Sequence, residues 1–301
     1  MDPTRKKALL AMCGATMIWG INFSAAKYAT QQFDPFFIAA VRILIAAPVL
    51  LLLVPAPSRK EIFRPGVFRT FLPLSLSGIL MNQVCFIKGI ESTTPGHSAI
   101  LMSLIPIFVA LFAFFFLKEK LPLLGWIGIL LGATGSVGVI LSGTSIETSA
   151  ILQGDGLILL GTLAFALYTV WGRNAIQKHG PSVVTAGAYL GAAIFAPLLL
   201  LYSLGRQEWS GITWGGIASL AYLVIFTTII CYTLYFWALA RLKAAQVAIF
   251  ADGQPVIGTT ISVCVGFDLL SPLFVGAGLV TLLGIIFVQF QPRTPPTGQG
   301  A

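Results

Sequence analysis

Residues 96–117, GHSAILMSLIPIFVALFAFFFL, decide the fold. The run carries no Asp, Glu, Lys or Arg, and as a helix its 22 residues would reach about 33 Å, enough to cross the roughly 30 Å hydrocarbon core of a bilayer. Pro106 stands at its middle, where a proline costs about 3 kcal/mol in an ordinary helix. A shift of 149 residues carries Pro106 onto Pro255, inside another apolar run at 244–265. The same shift carries Pro48 onto Pro197, Ala99 onto Ala248, Glu119 onto Asp268 and Gly135 onto Gly284. The ends of the first helix pair match at 146 instead, with Lys27 on Arg173 and Pro35 on Pro181. Interior prolines repeated at one offset point to a chain built twice.

Working outward from 96–117, apolar runs recur along the whole chain. They predict ten helices at 8–30, 35–54, 70–89, 96–117, 122–142, 155–173, 182–203, 213–238, 244–265 and 271–290. Charged residues are 9% and hydrophobic residues 57% of the sequence, against about 25% charged in soluble domains. Transmembrane strands would alternate apolar and polar residues, which these runs do not, and helices are the remaining way to satisfy a backbone in lipid. The first run follows Arg5-Lys6-Lys7 but contains Trp19, Asn22 and Lys27, which marks it as a mature helix rather than a cleaved leader.

The net charge of +8 invites a nucleic-acid reading, but the basic residues sit in short loops between spans. With the N-terminus inside, 14 of the 18 Lys and Arg fall on the inner side, Lys27, Lys88 and Arg206 on the outer side, and Arg42 within a helix. This is the positive-inside pattern, with both termini cytoplasmic in a bacterial inner membrane. Because five is odd, the second five-helix unit enters the membrane in the opposite sense. The expected organisation is therefore a repeat at 8–142, an inverted repeat at 155–290 and a disordered tail at 291–301. Inverted repeats of this kind place a substrate near the midplane between the halves.

Short motifs follow one another along the first half: Trp19-Gly20-x-Asn22, Arg42 in helix two, Pro106 and the ending Lys118-Glu119-Lys120-Leu121 in helix four, and Gly125, Gly128, Gly132 and Gly135 in helix five. Their order resembles the drug/metabolite transporter superfamily, in its ten-helix EamA-type branch. The second half departs at Phe267-Asp268, where the family has glycine and glutamate. The resemblance implies alternating-access export of amino acids or related small metabolites, often proton-coupled. It also makes Arg42 a structural residue.

Polar and aromatic groups at membrane depth are the candidate substrate ligands, since such groups are costly in lipid unless used. They are Trp19 and Asn22, Asn82, Gln83 and Phe86, Met102, Tyr168 and Trp171, Tyr232 and Tyr235, and Gln246 and Phe250. Amides beside aromatics suit a neutral or zwitterionic ligand with an apolar side chain. Trp171 also fits an interfacial aromatic belt, and the amides also fit plain interhelical hydrogen bonds. Pro106 and Pro255 are candidate hinges, with static kinks as the alternative. Two charges, Arg42 and Asp252, lie inside spans; either they pair, or Asp252 carries a proton or meets a substrate ammonium. His97 is expected at the outer surface, as a sensor of external pH or a solvated neighbour of a cap.

Other classes are excluded on what they need. An intramembrane enzyme would want paired carboxylates, a histidine-rich metal set or a Ser/Lys dyad at depth. Cys13, Cys85, Cys231 and Cys264 lack metal-ligand spacing, and no P-loop offers a nucleotide site, so no cofactor or metal is expected. The small faces of helices five and ten read as contact within one chain, making a monomer the expectation and a dimer the alternative. Sugar-like, nucleotide-linked or drug-like substrates form the second transporter reading.

Overall fold

The computed structural model describes residues 3–142, 148–239, 241–242, 250 and 253–289. Within them the chain is helical and no strand is present. We label the helices α1 (Pro3–Thr30), α2 (Pro35–Leu53), α3 (Gly66–Ser92), α4 (Pro95–Leu117), α5 (Leu123–Ser142), α6 (Thr148–His179), α7 (Pro181–Ala193 with Ala196–Leu204), α8 (Trp214–Tyr235, running on to Leu239), α9 (Gln254–Val265) and α10 (Pro272–Gln289). A short helix, Ala56–Ile62, joins α2 to α3.

Among the described residues eight of these helices are long and apolar enough to cross a membrane, and α7, bent by 44°, makes a ninth. The predicted span 244–265 is described as a helix only from Gln254, and the tail predicted to be disordered lies outside the described residues. Two expectations are corrected. Helix α6 starts at Thr148, not 155, so Asp155 lies in its second turn, with no exposed surface. The cause is a polar first turn that hydropathy alone does not read as span. His97, expected at the surface, is 4% exposed.

Local chemistry fixes where the helices begin. Asp34 accepts from the backbone N–H of Phe36 and Phe37, Thr94 from that of His97, and Thr213 from that of Gly216. Pro35 and Pro95 follow two of these caps, in the first turn where a missing N–H costs nothing. Packing then depends on small residues. A Cβ on Gly128 would sit 2.6 Å from the Gly284 oxygen, and one on Gly284 would sit 2.5 Å from the Gly132 nitrogen, so α5 and α10 meet backbone to backbone as expected.

Two irregularities recur at the 149-residue offset. Helix α3 widens to π geometry over Ser75–Met81 and α8 does so over Leu223–Ile230; such wide turns are rare and concentrate at functional sites. Helix α4 breaks at Ser103–Leu104, before the turn holding Pro106, and α9 begins at Gln254 with Pro255 in its first turn.

The turns after α1, α3, α7 and α9 gather at one end, tied by polar bonds. Lys27 Nζ donates to the carbonyls of Glu91 and Thr93, both at 2.8 Å. Gln207 accepts from the Asp34 N–H at 2.7 Å and donates to the Gln32 carbonyl at 3.0 Å. Asp268 accepts from the Gly96 N–H at 2.8 Å and from Ser262 Oγ. At the other end Glu119 pairs with Arg173, and Glu61 lies 2.6 Å from His179.

Candidate functional site

The two π turns are where the halves of the chain interlock. On α1, Trp19 Nε1 donates to the Thr227 carbonyl in the π turn of α8, at 3.2 Å. On α6, the Tyr168 ring lies against Gly78 in the π turn of α3, so closely that a Cβ there would overlap it. Trp19 and Tyr168 lie 149 residues apart, and so do Gly78 and Thr227. The contacts thus repeat at the offset of the prolines, one helical turn on from the 146 that matches the helix ends.

Around the α8 turn the structure collects one group of the predicted residues. The Trp19 ring meets Tyr232 edge-on at 6.1 Å and Tyr235 at 5.8 Å, spacings at which aromatic pairs attract. Tyr232 also meets Tyr189 edge-on at 5.9 Å. The Tyr189 hydroxyl accepts from Gln83 Nε2 at 3.2 Å. Thr228 Oγ1 accepts from Arg42 Nη2 at 3.3 Å. One connected set therefore runs from α1 through α8 and α7 to α2 and α3.

Among the described residues the buried polar atoms without a partner are Asn22 Oδ1 and Ser24 Oγ on α1, Arg42 Nε and Nη1 on α2, Thr227 Oγ1 on α8 and Thr259 Oγ1 on α9. Unpaired buried groups carry a desolvation cost, and a native structure keeps few of them without a use. They are the clearest sign of where a polar ligand would bind.

Other predicted residues lie elsewhere. Asn82 Nδ2 donates to the Gly161 carbonyl at 3.0 Å, pinning α3 to α6. Phe86 is buried against Phe23, and Met102 is half-buried in the same apolar cluster. Phe250 packs near Met12 and Leu242, its carbonyl accepting from Thr16 at 3.0 Å. Trp171 is 48% exposed, apart from the connected set and on the outward surface where a belt residue would sit. Gln246 and Asp252 lie outside the described residues. Tyr189 and Thr228 were missed. Tyr189 is the one bulky polar residue in the small-residue run 185–193, a signal available beforehand; Thr228 had none.

His97 forms a second buried cluster. Its Nδ1 lies 2.9 Å from Asp155 Oδ2, Thr93 Oγ1 donates to the other carboxylate oxygen, and Phe274 stacks on the ring at 5.5 Å. Ser142 Oγ lies 3.4 Å from Nε2, so Ser, His and Asp stand in the order of a hydrolase triad. The serine hydroxyl, however, is committed to the Val139 carbonyl at 2.6 Å, which leaves no activated nucleophile. The cluster joins α4 to α5 and α6. Among the described residues no group of three His, Cys, Asp or Glu could hold a metal.

Known proteins agree with this architecture. The uncharacterized transporter YyaM of Bacillus subtilis (strain 168) is 26% identical over 292 residues, covering 92% of this chain and 93% of that protein. The uncharacterized inner membrane transporter YedA of Escherichia coli (strain K12) is 24% identical over 313 residues, covering 99% of each. A crystal structure of a protein 20% identical in sequence superposes with a TM-score of 0.63 over 94% of this chain and 96% of that one, a likeness of fold. The EamA-like transporter family matches twice, at residues 6–141 and 152–290. The chain is thus a multi-pass inner-membrane protein, and it belongs to the EamA-like transporter family.

Proposed function

We propose that the chain is a secondary transporter that exports amino acids or related small metabolites by alternating access, without enzymatic activity. In this reading ten helices form two inverted five-helix repeats, 8–142 and 155–290, with both termini cytoplasmic. The substrate sits between the repeats, near the π turn of α8. One observation carries the reading: Asn22 Oδ1 and Thr227 Oγ1 are buried and, among the described residues, unpartnered on α1 and α8, the helices that carry the Trp19, Tyr232 and Tyr235 rings. Polar atoms left open next to aromatic faces suit a small ligand with a charged or polar head and an apolar body.

The matching irregularities of the halves support the inverted arrangement, and Pro106 beside the α4 break and Pro255 in the first turn of α9 are the proposed hinges about which the halves rock. In this reading the end tied by Lys27, Gln207, His97 and Asp268 is the outer end, closed while the site faces the cytoplasm. Protons are the proposed coupling ion and the monomer the working unit. Expression in cells loaded with amino acids through dipeptide feeding tests the export: faster efflux of at least one amino acid supports it. Unchanged efflux of every amino acid, with the protein present in the membrane, refutes it.

A further inference from the structure

Arg42 is treated as structural by family resemblance, yet its surroundings do not satisfy a structural arginine. Its side chain is 4% exposed at the middle of α2, among Ala39, Ala40, Ile43 and Ala46, all buried. Among the described residues its one hydrogen bond is a long one to Thr228 Oγ1, while Nε and Nη1 have no partner. No described carboxylate bonds to it. An arginine that only joined helices would spend its planar fork on carbonyls or a carboxylate, because a buried uncompensated cation is strongly unfavourable. Through Thr228, Arg42 reaches α8, whose Tyr232 meets both Trp19 and Tyr189, and Tyr189 accepts from Gln83.

We infer that Arg42 is the anion-recognising residue of the transport site and that the cargo bears a carboxylate, held by Nη1 and by the N–H of Nη2 that Thr228 does not take. The inference rests on the export reading above and narrows it: neutral sugars, nucleobases and cationic drugs lack the group this fork fits. Tyr189 and Thr228 position the guanidinium rather than touch cargo. A guanidinium offers two parallel donors to a carboxylate, which lysine cannot reproduce.

Thermal unfolding of the purified full chain in detergent, at constant ionic strength, tests this with acetate, butyrate, leucine and phenylalanine against leucinamide and phenylalaninamide. A ligand that binds only the folded state raises the midpoint with its concentration. Free carboxylates are expected to raise the midpoint of the wild type, and the amides not. In Arg42→Lys the half-effect concentration rises at least about ten-fold, and in Arg42→Gln the response is lost. If Arg42→Gln does not fold, the Arg42→Lys titration carries the test. Amides stabilising as well as acids, an Arg42→Lys curve matching the wild type, or a flat response to the whole series overturns the assignment. Response to butyrate but to neither amino acid would keep Arg42 and remove the amino-acid reading. Equal response to amino acids and their amides would do the reverse.

Discussion

His97 Nδ1 lies 2.9 Å from Asp155 Oδ2, both side chains buried, joining the first turn of α4 to the second turn of α6. The pair therefore links the segments that match the family separately, 6–141 and 152–290. Removing either partner strands the other without a buried counterpart, at a cost of about 3–5 kcal/mol. Asp155→Asn and His97→Gln should each destabilise the protein strongly, and together by less than their sum, with a coupling of about 1–3 kcal/mol. Unfolding of the four proteins in detergent measures it; additive losses would mean that the two groups do not act as a unit.

The close seat of Tyr168 on Gly78 predicts a size-sensitive position. Gly78→Val should cost about 1–3 kcal/mol by overpacking and lower the yield of monodisperse protein. Tyr168→Ala in the same chain should recover part of the loss. Size-exclusion profiles and melting temperatures read both outcomes.

Pro106 withholds one N–H from α4 beside the Ser103–Leu104 break. In the first turn that missing N–H costs little, so Pro106→Ala should stabilise by only about 1 kcal/mol, for the one hydrogen bond gained if the helix runs through the break, while slowing transport, because a repaired helix no longer bends there. A melting curve and a flux assay on the same preparation separate the effects. Unchanged flux in a stabilised variant would make the break a static kink.

Much of this was legible in the sequence because lipid leaves few choices. An apolar run such as 96–117 has one way to satisfy its backbone, and Pro106 marks the break that precedes it in α4. The glycines of α5 and α10 likewise predicted their own contact. The pairing of side chains was not legible. His97 and Asp155 are 58 residues apart, and a histidine beside a proline at a helix start reads as solvated until the partner helix is in place. The π turns were hidden for a similar reason: their wide geometry arises where Thr227 and Gly78 accept neighbours from other helices. Tyr168 and Trp171 were equally good candidates by type, and only the direction each faces separates them.

Trp19 carries the most direct test, since its N–H holds the α8 turn and its ring holds Tyr232 and Tyr235. Trp19→Phe keeps a ring and loses one hydrogen bond, worth about 1 kcal/mol, so apparent affinity should fall about five-fold. Trp19→Ala removes both and should abolish exchange while the protein remains folded. Counterflow in proteoliposomes against a panel of amino acids measures this. The account predicts accelerated uptake of at least one amino acid by the wild type, weakened in Trp19→Phe and absent in Trp19→Ala. Wild-type flux that survives Trp19→Ala unchanged, or no flux for any amino acid in folded wild type, would contradict it.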